Sequence, residues 1–307
     1  MSEKILLIDG HSILNRAFYG LPDLTNAEGK HTGAVYGFLN ILFRILEEEK
    51  PQYLTVAFDL HEPTFRHKMY EAYKGTRKPM PEELREQVPL MKEMLTAMGI
   101  KIVSKAGYEA DDLLGTLAVR SEKEGMDVTI LSGDRDLLQL ATEKVMIRLP
   151  KTSRGKTTIE NFHAAEVLEK YQVTPPQIIE LKALMGDKSD NIPGVTKIGE
   201  KTGLKLLHEY GSLQGIYDHI DSFKASKMKE NLINDREQAF LSKTLATINT
   251  QAPITIGLDD IVYHGPQLEA LAQFYDEMDF KQLRSQMDMP KESQSFEVSY
   301  QEVEQVT

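Results

Sequence analysis

Acidic side chains follow each buried strand that the sequence predicts, and their spacing is suited to metal chemistry. The densest group lies in GYEADDLLG, where Glu109, Asp111 and Asp112 place three carboxylates within four residues. Carboxylates this close repel one another, most strongly where water is partly excluded. The residues that follow, 113–119, are largely apolar and predict a buried helix. A positive partner is therefore expected beside this acidic group.

Four short apolar runs predict the strands that position these acids. They are residues 5–8, 53–58, 100–103 and 128–131. Between these runs, apolar residues recur at helical spacing from Val35 to Leu46 and from Leu84 to Met98. Pro81 marks the start of the second predicted helix and Gly99 marks its end. Strands that alternate with helices predict an α/β fold, with a mostly parallel sheet and flanking helices. Beyond about residue 160 the chain is predicted to be almost wholly helical.

The remaining acids fall at equivalent points along the chain. Asp9 ends the first predicted strand, Asp59 ends the second, and Asp134 follows the fourth. Ligands bind outside the carboxyl ends of the strands in open α/β sheets, so these side chains are expected to meet at one edge. A further pair, in MGDKSDN, lies in a predicted loop between helices. The candidate metal ligands are Asp9, Asp59, Glu109, Asp111, Asp112, Asp134, Asp136, Asp187 and Asp190.

Each acid taken alone has a simpler interpretation. An Asp after a strand usually caps a helix or stabilises a turn, and Asp111 and Asp112 could favour the positive end of a helix dipole. Capping does not explain why acids recur after every strand. Oxygen ligands in a chain without cysteine favour Mg²⁺ or Mn²⁺ over zinc. The pattern predicts two ions about 4 Å apart, an arrangement suited to in-line displacement at phosphorus.

A second motif, IPGVTKIGEKTGLKLL at 192–207, predicts a helix-hairpin-helix. Gly194 and Gly199 bracket a short hairpin, and a helix follows it. The amides at a helix N-terminus bind phosphate well, and such a motif holds a duplex backbone without reading bases. The alternative is a glycine-rich turn between helices with solvated lysines. The lysines concerned are Lys197, Lys201 and Lys205.

A basic stretch, FRHKMYEAYKGTRK at 65–78, holds five Lys or Arg residues and one Glu. It predicts either an amphipathic helix with a solvated basic face, which is the usual case, or a passage for a nucleic-acid strand. Aromatic residues alternate with the cations, which favours the passage, because bases stack on aromatic rings while cations follow the phosphates. The residues concerned are Phe65, Arg66, Tyr70, Tyr73, Lys74, Arg77 and Lys78.

Composition narrows the class of protein. The 307 residues, 41% of them hydrophobic, indicate one large domain or two small ones with a real core. The absence of cysteine excludes disulfides and thiolate zinc sites and fits a reducing cytoplasm. We find no signal peptide and no apolar run of about 18 residues, so no membrane partner is expected and a cytoplasmic location is predicted. The net charge of −11 alone disfavours nucleic acid, but the basic stretch shows that charge is unevenly distributed.

Seven segments, in this order, carry a resemblance to the flap endonuclease family, and in particular to the 5′-nuclease domains of bacterial DNA polymerase I. They are LLIDGHSILNRAFY, VAFD, FRHKMYEAYKGTRKPMPEEL, GYEADDLLGTLA, ILSGDRDLLQL, LMGDKSDNIPGVTKIGEKTG and AFLSKTLATI. Their joint occurrence at this spacing is specific, and the resemblance covers roughly residues 3–287. One departure is Gly203, where the family usually has Ala; it lowers helix propensity by roughly 1 kcal/mol and leaves the hairpin amides in place.

The resemblance implies a PIN-like 5′-nuclease domain at 1–172, with a helical arch at about 60–98. A helical DNA-binding subdomain would follow at 173–287, and 288–307 would be an acidic tail or linker. It implies a two-metal enzyme that hydrolyses DNA near 5′ ends, at flaps, nicks and RNA primers, in replication and repair. The residues that would form or support the first metal site are Asp9, Asp59, Glu109, Asp111 and Asp112. Those that would serve the second are Asp134, Asp136, Asp187 and Asp190, and which of them bridge the two ions stays open.

The resemblance also implies roles for the basic residues. Lys74 and Arg77 would lie in the arch over the scissile phosphate, and Arg16 would contact a phosphate near the active site. Tyr73 would stack on a base, and Lys78 would contact DNA. The hairpin at 194–201 would hold the duplex, with a K⁺ ion at its turn.

Several alternatives stay open. A PIN-type ribonuclease shares an acidic α/β site but needs neither the hairpin nor the basic stretch. A non-catalytic module that binds DNA structures would be expected to have lost carboxylates. An aspartyl phosphatase would need a second Asp two residues after Asp9, where His11 stands, and no dinucleotide-binding glycine pattern follows the first strand. The chain is expected to be a monomer, either a stand-alone nuclease or part of a longer DNA polymerase I.

Overall fold

Strand β1 (Lys4–Asp9) lies at the centre of a six-stranded sheet in the computed structural model, which describes residues 2–153 and 156–287. The other strands are β2 (Tyr53–Ala57), β3 (Lys101–Val103), β4 (Asp127–Leu131), β5 (Val145–Ser153) and β6 (Lys156–Phe162). Their order across the sheet is β3-β2-β1-β4-β5-β6. All neighbouring pairs are parallel except β5 and β6, which form an antiparallel hairpin at one edge. The predicted mostly parallel α/β sheet is therefore confirmed.

Side chains of β1 alternate between two hydrophobic cores, one on each face of the sheet. Leu6 and Ile8 pack in a core with residues of α1 (Gly10–Gly20) and α2 (Gly33–Glu49). The opposite-facing side chains of β1 pack in a core with residues of α6 (Ala110–Lys123). A parallel strand covered by helices on both faces reads as a continuous apolar run, which is why KILLID was recognisable in the sequence.

The remaining helices are mostly short. They are α3 (Phe65–Met69), α4 (Glu82–Arg85), α5 (Gln87–Ala97), α7 (Ala164–Tyr171), α8 (Pro175–Met185), α9 (Glu200–Tyr210), α10 (Leu213–Asp218), α11 (Lys227–Asn234), α12 (Arg236–Ala246), α13 (Leu268–Glu277) and α14 (Lys281–Met287). Short 3-10 helices span Arg135–Leu140, Ile220–Ser222 and Leu258–Ile261. Within residues 2–153 and 156–287, none of the helices has the length and apolar character needed to cross a membrane.

Two local predictions were wrong. The helix expected from Leu84 to Met98 divides into α4 and α5, because Pro89 lacks an N–H and its ring clashes with the carbonyl of Arg85. Strands β5 and β6 were not predicted, since Pro150 and several charged residues interrupt their apolar pattern. Pro150 lies beyond the part of β5 that pairs with β4, so its missing N–H removes no bond from the parallel ladder.

The helical half of the chain does not form one separate body. Helices α8, α9 and α12 pack together beside the 3-10 helix that follows β4. Helix α13 instead contacts α5, and apolar residues of α13 and α14 join the core that contains Leu6 and Ile8. The last two helices of the predicted helical region at 173–287 carry an apolar face that packs in the core beside the sheet. The predicted tail at 288–307 lies outside the described residues.

Candidate active site

Four carboxylates from four segments meet at the carboxyl edge of the sheet: Asp9, Asp59, Asp111 and Asp134. Oδ2 of Asp9 accepts a hydrogen bond from Oγ of Ser132 at 2.8 Å, and the same Oγ accepts from the amide of Asp134 at 3.0 Å. Oδ1 of Asp59 accepts from the amide of Ala110 at 2.7 Å, next to Asp111. The strand ends place the four acids at one edge of the sheet, and the hydroxyl of Ser132 links Asp9 to Asp134.

Two of these acids, Asp9 and Asp134, also cap helices. Asp9 is the N-cap of α1, with Oδ1 accepting from the amide of Ser12 at 3.0 Å, and Asp134 caps the following 3-10 helix through the amide of Asp136. In Asp9 one oxygen caps the helix and the other faces β4. Capping therefore orients the carboxylate and does not exclude a chemical role.

Burial and mutual repulsion shape the electrostatics of this edge. Burial, with Asp59 and then Asp134 adding their negative charge, raises the pKa of Asp9 to about 7. Burial together with Asp9, Asp134 and Asp59 raises the pKa of Asp111 well above its usual range. Such shifts mean that the ionised carboxylates lack enough positive charge beside them.

Asp112 is paired with a buried arginine. Its two carboxylate oxygens accept from Nη1 and Nη2 of Arg66, each at 2.8 Å, and they also accept from the amides of Glu109 and Asn249. Asp112 is fully buried and Arg66 nearly so. A planar guanidinium thus occupies both oxygens, and Asp112 holds the start of α6 in place through the Glu109 amide.

The segment predicted to form a helical arch lies against two other predicted ligands. Nζ of Lys74 is 2.6 Å from Oε1 of Glu109, and a guanidinium nitrogen of Arg77 donates to Asp190. The hydroxyl of Tyr73 lies 3.1 Å from Oε2 of Glu109 and 3.1 Å from Oδ2 of Asp190. Lys74 adopts a left-handed backbone, with φ of 56°, at the turn that brings these side chains in.

Tyr73 does not present its ring as predicted. The side chain is 3% exposed, and it packs with Ile192 and Leu245. A buried ring offers no face for stacking on a base in this structure. The predicted arch at 60–98 contains only the short helices α3, α4 and α5, joined by turns, and Lys78 at its rim is exposed.

Asp136 and Asp187 share one lysine that the sequence analysis did not single out. Nζ of Lys182, on α8, donates to Oδ1 of Asp136 and to Oδ2 of Asp187. At Asp187 the lysine outweighs burial and lowers the pKa to about 2. At Asp136 burial and the neighbouring Asp134 prevail over the lysine and raise the pKa to about 7. The nine predicted ligands therefore fall into three groups. The first is the four acids at the sheet edge, and the second is Glu109, Asp112 and Asp190, which are linked through Arg66, Lys74 and Arg77. The third is Asp136 and Asp187 on Lys182.

Arg16 borders a cavity of about 320 Å³ beside the carboxylates. The cavity is lined by Ser12, Asn15, Arg16, Tyr19, Gly20 and Gly133. A Cβ at Gly133 would lie 2.9 Å from Oγ of Ser12 and 3.3 Å from Nε of Arg16, so the glycine keeps this approach open. Burial, aided by Arg135, lowers the pKa of the Arg16 guanidinium. A cation thus stands at the edge of the acidic cleft, where a phosphate could bind.

The glycine-rich motif forms a tight connection between α8 and α9. Asp187 and Ile192 exchange both backbone hydrogen bonds at 2.8 Å, which closes a short hairpin. Gly194 has φ of 65°, and a Cβ there would lie 2.2 Å from the amide of Gly186, so only glycine fits. Gly199 is the N-cap of α9 without a side-chain cap, which leaves the first amides of the helix open. The predicted lysines, Lys197, Lys201 and Lys205, are all exposed around this end.

Comparison with known proteins decides the family. The family model of the 5′-3′ exonuclease N-terminal, resolvase-like domain matches residues 4–172, and that of the C-terminal SAM fold matches residues 173–269. The chain belongs to the 5′-3′ exonuclease family. It is 55% identical over 291 residues to DNA polymerase I of Streptococcus pneumoniae R6, and 46% identical over 281 residues to that of Bacillus subtilis. These matches cover 94% and 92% of this chain but only 33% and 32% of the relatives, so the chain spans about a third of their length.

Solved structures show the same fold. The T5 D15 protein co-crystallised with metal ions has a TM-score of 0.68 at 23% identity and covers 91% of this chain and 99% of that one. The catalytic core of Rad2 in complex with a DNA substrate has a TM-score of 0.57 at 17% identity, with coverage of 90% and 88%.

The donor set of the acidic cleft fits divalent metal ions. Every candidate ligand is a carboxylate oxygen, which suits a hard cation, and the raised pKa values of Asp9 and Asp111 mark where positive charge is needed. Among the described residues, no group of three or more acidic or histidine side chains has its oxygen and nitrogen atoms arranged to hold an ion as they stand. Several of these carboxylates form salt bridges with basic side chains, namely Arg66, Lys74, Arg77 and Lys182.

Sequence reasoning missed two cations of the acidic cleft for different reasons. Arg66 was noted only as one of several basic residues, although it is the one that is buried. Lys182 stands five residues before Asp187 in LKALMGD, and a pairing at that spacing needs the turn at Gly186. The Arg66–Asp112 and Lys182–Asp136 pairs have no sequence signal, because each joins two segments 46 residues apart. The Lys182–Asp187 pair is local but depends on the loop conformation after α8.

Proposed function

We propose that this chain is a metal-dependent nuclease that hydrolyses phosphodiester bonds near 5′ ends and 5′ flaps of DNA, and RNA primers on DNA. The observation that carries the proposal is the convergence of Asp9, Asp59, Asp111 and Asp134 at one edge of the sheet, where burial and repulsion raise the pKa of two of them. Carboxylates held in this way are suited to two Mg²⁺ or Mn²⁺ ions.

The carboxylates fall into two groups by their positions. Asp9, Asp59 and Asp111, with Glu109 beside them, would hold the first ion. Asp134 lies next to this group, and Asp136, Asp187 and Asp190 would complete the second. Two divalent ions held by these residues would supply a lowered pKa for bound water and positive charge for an in-line displacement at phosphorus. Asp112 is left out, because Arg66 occupies its oxygens.

Basic residues around the cleft are suited to hold the substrate. Lys74 and Arg77 neutralise Glu109 and Asp190 in this structure, so they lie within reach of a phosphate bound at the carboxylates. We assign them to stabilising the reacting phosphate. Arg16 would contact a neighbouring phosphate from its cavity.

The hairpin between α8 and α9 would hold the duplex away from the reaction. Its open helix N-terminus at Gly199 suits a backbone phosphate, and Lys197, Lys201 and Lys205 surround it. We also propose a K⁺ ion at this turn. The structural neighbours include a T5 D15 flap endonuclease complex with DNA and metal ions, which has a TM-score of 0.66 at 22% identity.

The cellular setting follows from the relatives. They are bacterial DNA polymerase I chains about three times as long as this one. We propose that this chain acts as a monomer in the bacterial cytoplasm, on flaps, nicks and primer ends, as a stand-alone nuclease or as part of a longer polymerase.

A flap-cleavage assay tests the proposal. A DNA with a labelled single-stranded 5′ flap on a nicked duplex is incubated with the protein in Mg²⁺ or in EDTA, and the products are sized. We expect a short labelled fragment released at the flap junction only with Mg²⁺, and its loss in Asp134→Asn. A retained complex without cleavage would support a non-catalytic DNA-binding module, and cleavage of single-stranded RNA alone would support a PIN-type ribonuclease.

A further inference from the structure

The ammonium of Lys182 lies between two carboxylates that reach it from different segments. Asp136 belongs to the 3-10 helix after β4, and Asp187 belongs to the loop after α8. About 16% of the lysine side chain is exposed, and its two partners are similarly shielded. The proposed reaction does not use this lysine, although it contacts two of the proposed ligands.

A divalent ion held by Asp136 and Asp187 would need the space that the ammonium occupies. Mg²⁺ lies about 2.1 Å from a carboxylate oxygen, and an ammonium nitrogen lies about 2.8 Å from it. Two cations so close together would also repel strongly in a shielded site. The lysine and the ion are therefore alternatives at this position.

The chemistry of the side chain suits exchange. Lys182 is a point charge on a flexible four-carbon stem, so its ammonium can withdraw towards solvent. Arg66 provides the contrast within the same cleft, because its planar guanidinium makes two parallel bonds to Asp112 and is almost completely buried. Asp112 is thus held by a buried, bidentate ion pair, whereas Asp136 and Asp187 are held by a flexible lysine near the surface.

We propose that Lys182 is an exchangeable internal cation of the second metal site. This inference rests on the proposed metal-dependent function. The ammonium neutralises Asp136 and Asp187 in the metal-free protein and leaves when a divalent ion binds between them. The second ion consequently binds more weakly than the first, and Lys182 is a positioning residue that controls metal occupancy.

Binding of Mn²⁺ to the metal-stripped chain, without DNA, tests this role. Free Mn²⁺ is followed by electron paramagnetic resonance, and thermal melting is recorded in parallel. In Lys182→Met we expect the second site to tighten by about tenfold, since the competing cation is gone. The same variant should melt below the parent in EDTA, because two carboxylates lose their counter-ion, and should recover at saturating Mn²⁺.

A matched control separates this effect from the loss of any buried lysine. Nζ of Lys243 is 2.6 Å from Oε1 of Glu180, a partly shielded pair that contacts none of the proposed ligands. Lys243→Met should leave the Mn²⁺ isotherm unchanged. Adding Asp187→Asn to Lys182→Met should abolish the tightened site; persistence of that site would place the ion elsewhere and overturn the proposal.

The remaining outcomes are equally decisive. Unchanged or weaker second-site affinity in Lys182→Met, with lower melting at every Mn²⁺ concentration, would make the contact a structural ion pair and overturn the exchange. If Lys182→Met does not fold, Lys182→Gln keeps an amide donor without the charge and should show the same tightening. Failure of the parent and all variants to bind Mn²⁺ would overturn the proposed function as well, whereas parent binding that Lys182 does not influence overturns only this inference.

Discussion

Arg66 holds both carboxylate oxygens of Asp112 at 2.8 Å, in a part of the cleft from which water is almost absent. The pair joins α3 to the first turn of α6, and Arg66 also donates to the carbonyls of Leu245 and Thr247. A cluster of three acids therefore contains one that stabilises the fold. The remaining two, Glu109 and Asp111, keep candidate chemical roles.

Removal of Arg66 should destabilise the protein strongly. We expect Arg66→Ala to lower the free energy of unfolding by about 3–5 kcal/mol, because it leaves a buried carboxylate unpaired. Urea unfolding measures the effect. Arg85→Ala is the control, since Arg85 and Glu82 form an exposed pair, and its midpoint should match that of the parent. A similar midpoint for both variants would return Asp112 to the candidate metal ligands.

Asp9→Asn should change how stability depends on pH in EDTA. The pKa of Asp9 rises from 3.8 to about 7 on folding. Between these values the folded state holds more protons than the unfolded chain, so this residue makes stability fall as pH increases from about 4 to about 7. The variant lacks that loss, and its stability relative to the parent should improve over this range by on the order of 2 kcal/mol. Urea unfolding at pH 4.5 and pH 7.5 measures it; a constant difference between the two proteins would contradict the shift.

Mg²⁺ should raise the melting temperature of the parent chain. An ion that binds only the folded state stabilises it by mass action, by about 2.7 kcal/mol when its concentration is a hundred times Kd. We expect an increase of several degrees across millimolar Mg²⁺, and a smaller one in Asp9→Asn. NaCl at equal ionic strength is the control. Identical curves with and without Mg²⁺ would count against a convergent carboxylate site.

Lys74→Ala and Arg77→Ala should slow cleavage more than they weaken duplex binding. Their charges lie at Glu109 and Asp190, beside the place assigned to the reacting phosphate. Loss of one such group reduces single-turnover rates by about 10²–10³. Lys68→Ala, an exposed lysine of the same basic stretch, is the matched control and should cleave at the parental rate. Weakened binding with intact single-turnover cleavage would make the assignment wrong.

Duplex affinity should depend steeply on salt despite the net charge of −11. Each phosphate neutralised by a lysine contributes about −0.9 to the slope of log K against log salt. Lys197→Ala, Lys201→Ala and Lys205→Ala should each reduce that slope by about one contact. Lys123→Ala, exposed at the far end of α6 from Asp111, should not change it. A flat salt dependence in the parent would remove the hairpin from the duplex interface.

Much of the fold was predictable because its signals are local. The apolar runs of β1 to β4 are covered by helices on both faces, so burial alone made them recognisable. The glycine hairpin was predictable too, since Gly194 has a backbone that other residues rarely adopt. Strands β5 and β6 were missed because one lies at the edge of the sheet and both carry polar residues, which weakens their apolar pattern.

The sequence by itself determined which side chains could act: acids at the ends of the strands, a basic stretch, and glycines that shape a hairpin. Those features depend on residue type and spacing along one segment, which the sequence records directly. Only the tertiary structure decided which acids stay available. Arg66 forms a salt bridge with Asp112, and Lys182 forms salt bridges with Asp136 and Asp187. Lys74 pairs with Glu109, and Arg77 pairs with Asp190. Most of these pairs join residues far apart in the chain, and the Lys182–Asp187 pair depends on a loop conformation. The strength of an ion pair depends on the distance between the charged atoms in space, which the sequence does not record.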